Sequence, residues 1–181
     1  MKFEVRPPLP AEARAWEQLR ITSWREAYAG DFTPEVFKAQ ESQLEARAEG
    51  FAQWLESTAG TGEDVQPQLG QRRRALVAVR SAETVAAPQT SPAGLGGLLG
   101  LAFATRIPYE VQKLEMLYLH PQAFGTGIAH ALLSRVLDPG PAELEVLTTN
   151  ARAIRFYEKE GFVQVRTDRF AGRKTYIMAR P

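Results

Sequence analysis

The chain has 181 residues, 44% hydrophobic and 24% charged, enough to build a core within one domain of ordinary size, about 50 to 250 residues. Its formal net charge of +1 argues against a nucleic-acid or anionic-membrane binder, which would carry a strong basic excess. It has no cysteine and two histidines, His120 and His130, so disulfides, thiol nucleophiles and a His-rich metal site are excluded and no metal is expected. No apolar run reaches the roughly 18 residues of a membrane span, and residues 1–6 lack the apolar segment of a secretory leader, so the expected location is the cytoplasm, with no membrane partner.

Residues 2–6 alternate polar and apolar and predict a short strand, ended by Pro7, Pro8 and Pro10. A helix follows over 11–28, carrying Trp16, Leu19 and Trp24, and Gly30-Asp31 breaks it. Thr33-Pro34 starts another, with a hydroxyl at the cap and proline in the first turn, and Leu44, Ala48, Phe51 and Leu55 share one helical face. Residues 58–74, rich in Gly, Gln and Thr and ending in Arg72-Arg73-Arg74, read as a flexible loop; 75–80 as a strand; 81–94 as a second flexible loop between strands. Residues 95–105 and 114–119 predict strands, the latter with Leu114, Met116 and Tyr118 on one face and Glu115, Leu117 and Leu119 on the other. A helix over 128–137 carries the stripe Ile128, Leu132, Leu133 and Val136, and Pro139-Gly140-Pro141 follows its end. Residues 143–149 form a strand, 150–160 a helix capped by Asn150 and ended by Gly161, and 162–165 and 174–179 two closing strands. Residues 1–181 thus form a single domain, a mixed sheet with helices packed on it.

The informative stretch is Leu117-Tyr118-Leu119-His120-Pro121-Gln122-Ala123-Phe124-Gly125-Thr126-Gly127-Ile128. A strand runs out, the chain turns through two glycines and a helix begins. Unpaired N–H groups at a helix N-terminus, together with its dipole, suit a phosphate or diphosphate. Gly125 and Gly127 are also compatible with an ordinary turn. The P-loop is excluded because Ile128-Ala129 follow Gly127, and the dinucleotide fingerprint because His130 stands where a third Gly or Ala is required.

Gln122-Ala123-Phe124-Gly125-Thr126-Gly127 resembles the Gln/Arg-x-x-Gly-x-Gly/Ala signature of the GNAT superfamily, and the stretch from Asn150 through Phe156-Tyr157 to Gly161-Phe162 is similar to that family's later segment. The resemblance covers residues 95–178; residues 1–80 agree only in element order. It implies an α/β (α+β) fold: a mixed, mostly antiparallel sheet of six to seven strands with helices on both faces. It implies an N-acetyltransferase that moves an acetyl group from acetyl-CoA to a primary amine of a small molecule or protein; a catalytically weak acyl-CoA-binding sensor is the alternative. A homodimer is compatible with the family.

The implied cofactor-binding residues are Leu117, Tyr118, Leu119, Gln122, Ala123, Phe124, Gly125, Thr126, Gly127, Ile128, Asn150 and Tyr157. Backbone groups of Leu117 and Leu119 would hold the pantetheine arm, and Tyr157 would protonate the departing thiolate, although it also fits the core stripe of its helix. Asn150 reads equally as a cofactor contact and as a helix cap. The resemblance places the acceptor near residues 24–37, with Trp24, Tyr28 and Phe32 shaping the pocket. One departure is Phe124, which stands where the family usually has a cation; Arg72–Arg74 or Arg152 are candidates to supply that charge. An amine has to lose its proton before it attacks, its pKa being about 10.4 if lysine-like. Glu115 is the candidate base, because a carboxylate partly desolvated on the face of Leu117 and Leu119 would titrate in a useful range. Glu110 and water are its rivals.

Overall fold

The structure is a computed structural model that describes residues 1–66, 71–81, 97–106 and 111–181, without the side chains of 65 and 66. The loop expected over 81–94 lies outside these residues except for Ser81, and so do Leu95, Gly96 and Glu110.

Among the described residues eight strands and five α-helices follow in chain order: β1 (Phe3–Arg6), α1 (Ala13–Tyr28), α2 (Pro34–Ser42), α3 (Leu44–Ser57), β2 (Glu63–Gln66), β3 (Gln71–Arg80), β4 (Leu98–Arg106), β5 (Gln112–Leu119), α4 (Ile128–Val136), β6 (Ala142–Leu147), α5 (Ala151–Lys159), β7 (Val163–Phe170) and β8 (Arg173–Arg180). The sheet order is β1-β3-β4-β5-β6-β8-β7, with β2 also paired to β3. All pairs are antiparallel except β5 with β6, which α4 connects. The sheet has one strand more than expected, because much of 58–74 is extended rather than loop. Arg72, Arg73 and Arg74 lie on β3 and are paired with Glu63 and Asp64 of β2 and with Asp138, so the charge run is neutralised across a ladder.

Two cores flank the sheet. On one side α4 packs its stripe of Ile128, Leu132, Leu133 and Val136 on Leu76, Ala102, Leu114 and Leu144. Gly100 lets this helix come close, since a Cβ there would meet the Leu132 side chain at 2.9 Å. On the other side Trp16 and Leu19 of α1 pack on Val77, Leu98 and Leu101, with Phe51 and Trp54 of α3 against them. Thr33 precedes α2 with extended backbone, but its side chain makes no capping bond; the start is set by Pro34 in the first turn. No helix among the described residues is long and apolar enough to cross a membrane.

The two faces of β5 depart from simple alternation. Ala104 pairs with Leu114 and Phe103 with Met116, which leaves Glu115 as an extra residue in a β-bulge. The bulge reverses the alternation. Leu114, Leu117 and Leu119 therefore share the α4 side, while Met116 and Tyr118 lie on the α1 side. Glu115 does not share a desolvated face with Leu117 and Leu119, as the expected alternation had it. It is exposed, accepts a hydrogen bond from Thr105 Oγ1 at 2.9 Å and pairs with Lys113 at 3.3 Å.

Candidate active site

The bulge also marks where β5 and β6 part. Their parallel pairing covers only Gln112–Leu114 against Ala142–Leu144. Between the diverging strands lies a cavity of about 390 Å³, walled by β5 from Leu114 to Leu119 and by Leu144, Glu145 and Val146 of β6. In an antiparallel ladder successive residues direct their N–H and C=O alternately toward and away from the neighbouring strand. The His120 N–H bonds to the Leu99 carbonyl at 2.9 Å, so Tyr118 and Met116 also face β4, while Leu119 and Leu117 direct their backbone groups away from it. The Leu119 carbonyl is taken by the Ser23 hydroxyl at 3.1 Å. Leu117 is left as a strand-edge residue turned toward the gap.

At the end of β5 the chain enters a short 3-10 turn, Pro121–Ala123. His120 is extended, as a residue before proline prefers, and its Nδ1 accepts the Gln122 N–H at 3.3 Å. The amides of Ala123 and Phe124 bond to the carbonyls of His120 and Pro121, at 2.8 and 3.1 Å. These three amides are therefore closed within the protein, and any part that Gln122, Ala123 and Phe124 play in binding cannot use them. Thr126 turns inward too: its hydroxyl donates to the Ala123 carbonyl at 2.6 Å and its amide reaches the same oxygen at 3.4 Å. The amides of Gly125, Gly127, Ile128 and Ala129 make no bond among the described residues. The turn is possible because Gly125 and Gly127 take φ of +73° and +85°, a left-handed backbone that side chains resist. A Cβ at either would meet no protein atom within 4 Å, so their surroundings are open.

The other wall comes from α5 and the end of α1. Asn150 does two things at once. Its Oδ1 caps α5 by accepting the Ala153 N–H at 3.1 Å, and its amide donates to the Tyr28 hydroxyl at 3.2 Å. Asp31 accepts a hydrogen bond from the neighbouring Thr149 hydroxyl at 2.9 Å. Tyr157 faces the cavity from α5 and is only 8% exposed, and its hydroxyl has no hydrogen-bond partner among the described residues. Burial, and then the neighbouring Tyr28 and Tyr118, push its phenol above the ordinary value, so it stays protonated at neutral pH. Burial raises Tyr118 and Tyr28 as well, with an Asn150 bond opposing the shift at Tyr28.

The structure brings together Glu115, Leu117, Tyr118, Leu119, Ala123, Phe124, Gly125, Gly127, Asn150, Tyr157 and Tyr28 around one cavity. Gln122 and Thr126 lie in the turn without lining it, and Ile128 is fully buried with its side chain in the core. Trp24 and Phe32 are set back from the cavity, as a ring cluster with centroids 4.8 Å apart behind Tyr28. Phe156 of the family-like segment lines the site beside Tyr157, and so do Ser23 and Glu145, which carried no sequence signal; the place of Glu145 depends on the strands parting. His130 also reaches the cavity but is tied to Glu160 at 2.9 Å.

Residues 73–164, just over half the chain, match a family model described as an acetyltransferase (GNAT) domain. Solved structures share the fold along nearly the whole chain. PaiA N-acetyltransferase from Thermoplasma acidophilum, in complex with coenzyme A, is 19% identical with a TM-score of 0.68 and 99% coverage of both chains. An acetyltransferase from Thermus thermophilus is 21% identical, TM-score 0.60, covering 100% of this chain and 97% of its own. A spermidine N-acetyltransferase SpeG chimera from Vibrio cholerae and hSSAT is 18% identical, TM-score 0.57, covering 99% and 95%. No curated protein sequence matches the chain.

Proposed function

The chain belongs to the GNAT acetyltransferase family, and from that premise we propose that it transfers an acetyl group from acetyl-CoA to a primary amine, as a single domain whose sheet runs from Phe3 to Arg180. The observation that carries the reading is the parting of β5 and β6 beyond Leu114, which opens a gap between a strand edge and the free amides that lead into α4. The residues present fit the cofactor. The amides of Gly125, Gly127, Ile128 and Ala129, with the dipole of α4, would hold the diphosphate. The Leu117 edge would take the pantetheine arm as an added strand takes a partner.

Acetyl-CoA supplies, when bound, an acyl group on a thiolate leaving group. The chain's residues do the rest. The Leu117 N–H, turned into the gap, would donate to the acyl oxygen. Tyr157 Oη, protonated and without a competing partner, donates its proton to the departing sulfur. Glu115, on the cavity wall and open to water, receives the proton that the amine sheds. Tyr28, backed by Trp24 and Phe32, faces the acceptor, and Glu26 beside it attracts an ammonium.

Calorimetry with CoA, ATP and NAD, followed by thiol release across a panel of amines, tests this. CoA alone should bind, and at least one amine should release thiol. A preference for ATP or NAD would overturn the cofactor assignment. CoA binding without thiol release from any amine would make the chain a sensor rather than a transferase.

A further inference from the structure

Two helix starts meet at one end of the cavity. α4 begins at Ile128 and α5 at Ala151, and residues of both first turns line it. Each helix N-terminus carries partial positive charge. Arg152, in the first turn of α5, adds a full positive charge where the dipole disfavours one, and no acidic residue stands in that turn to offset it. Its guanidinium lies over the Phe124 ring, 3.8 Å from the centroid, one residue before Gly125. Arg152 makes no ion pair among the described residues, whereas Arg72, Arg73, Arg74 and Arg106 each meet a carboxylate. A guanidinium fixed by a ring instead of a carboxylate, between two positive helix ends, is arranged to receive an anion from outside.

Arg72–Arg74 cannot take that part. They are bonded to Glu63, Asp64 and Asp138, which do not border this cavity. We propose that Arg152, held over Phe124, pairs with the diphosphate of CoA, so that α5 supplies the charge which position 124 lacks. Phe124 then acts as the platform that orients the fork, a role for which its 38% exposure and planar ring suit it. The inference rests on the cofactor reading above.

The test is calorimetric binding of CoA and of dephospho-CoA, which keeps the diphosphate and lacks the 3′-phosphate. Arg152→Ala should weaken both ligands about tenfold at low salt, and by less as ionic strength rises. Arg152→Gln, which keeps the stem over the ring, should lose as much and controls for any disturbance of α5, with thermal midpoints measured for both. Phe124→Leu should cost about threefold by unseating Arg152. Adding Phe124→Arg to Arg152→Ala should restore most of the affinity. Unchanged binding in both Arg152 variants would overturn the proposal, and so would a loss seen with CoA and absent with dephospho-CoA. If the unaltered chain binds no CoA, the cofactor reading fails; if it binds and the Arg152 variants bind equally well, only this inference does.

Discussion

At its start β5 has a strand partner on both sides; at its end β4 is its one strand partner among the described residues. Gln112 is buried and its side chain clamps the backbone of Asp138, accepting that N–H at 2.7 Å and donating to the carbonyl at 3.0 Å. Asp138 in turn gathers Arg72, Arg74 and Arg106. Leu114, 4% exposed, pins the paired strands to the core beneath α4. Past Glu115 the pairing with β6 stops and the same strand borders a cavity. What separates the two ends is one inserted residue, which adds local twist and ends the ladder. A binding edge is thus made from an ordinary strand by withholding its partner, and the closed end has to carry the stability that the open end forgoes.

That division can be broken most severely at Leu114. Leu114→Ala should lower unfolding stability by about 3 kcal/mol, read by urea denaturation; a loss below about 1 kcal/mol would mean that the closed end is anchored elsewhere. At the open end the opposite pattern is expected. Tyr157→Phe should reduce turnover about a hundredfold and leave the thermal midpoint in place, and undiminished thiol release would refute the acid assignment. Because burial raises this phenol, the alkaline limb of the turnover profile should lie above the ordinary tyrosine value of about 10. Gln112→Ala sharpens the comparison from the closed side. It strips the Asp138 N–H of its partner and should cost about 2 kcal/mol, with CoA affinity measured in parallel and expected to hold.

The smallest effect is expected at Asp138. Burial works to raise its carboxyl, but the Arg74 hydrogen bond and the charges of Arg74, Arg72 and Arg106 outweigh it and hold the group below its usual range. A lowered pKa stabilises the fold above the ordinary carboxyl value, and the contribution fades as pH falls through the lowered one. Asp138→Asn should therefore cost about 1 kcal/mol near pH 7, with a difference from the parent chain that shrinks on acidification. A difference independent of pH would mean that the arginines do not act through this charge.

Much of this was legible in the sequence where a local rule governs. The α4 stripe, the Asn150 cap and the glycine turn each depend on residues a few positions apart, and each stands as expected. Features that depend on a neighbouring strand were not legible. The bulge at Glu115 exists only relative to β4, and it split the face assigned to Leu114, Met116 and Tyr118. β2 pairs with β3 and sets Glu63 and Asp64 against Arg72–Arg74, a pairing that a Gly- and Gln-rich segment does not announce. The closed amides of Gln122 to Phe124 follow from a 3-10 turn and the His120 ring, where the motif suggested a wider set of free donors.

The double engagement of Asn150 has a mechanical corollary. One amide group starts α5 and also fastens the last residue of α1, so the corner after α1 and the first turn of α5 are geared together. Serine there would cap the helix as well but is too short to reach Tyr28 at the same time. That exchange would leave each part folded while uncoupling the acceptor corner from the helix that carries Arg152 and Tyr157.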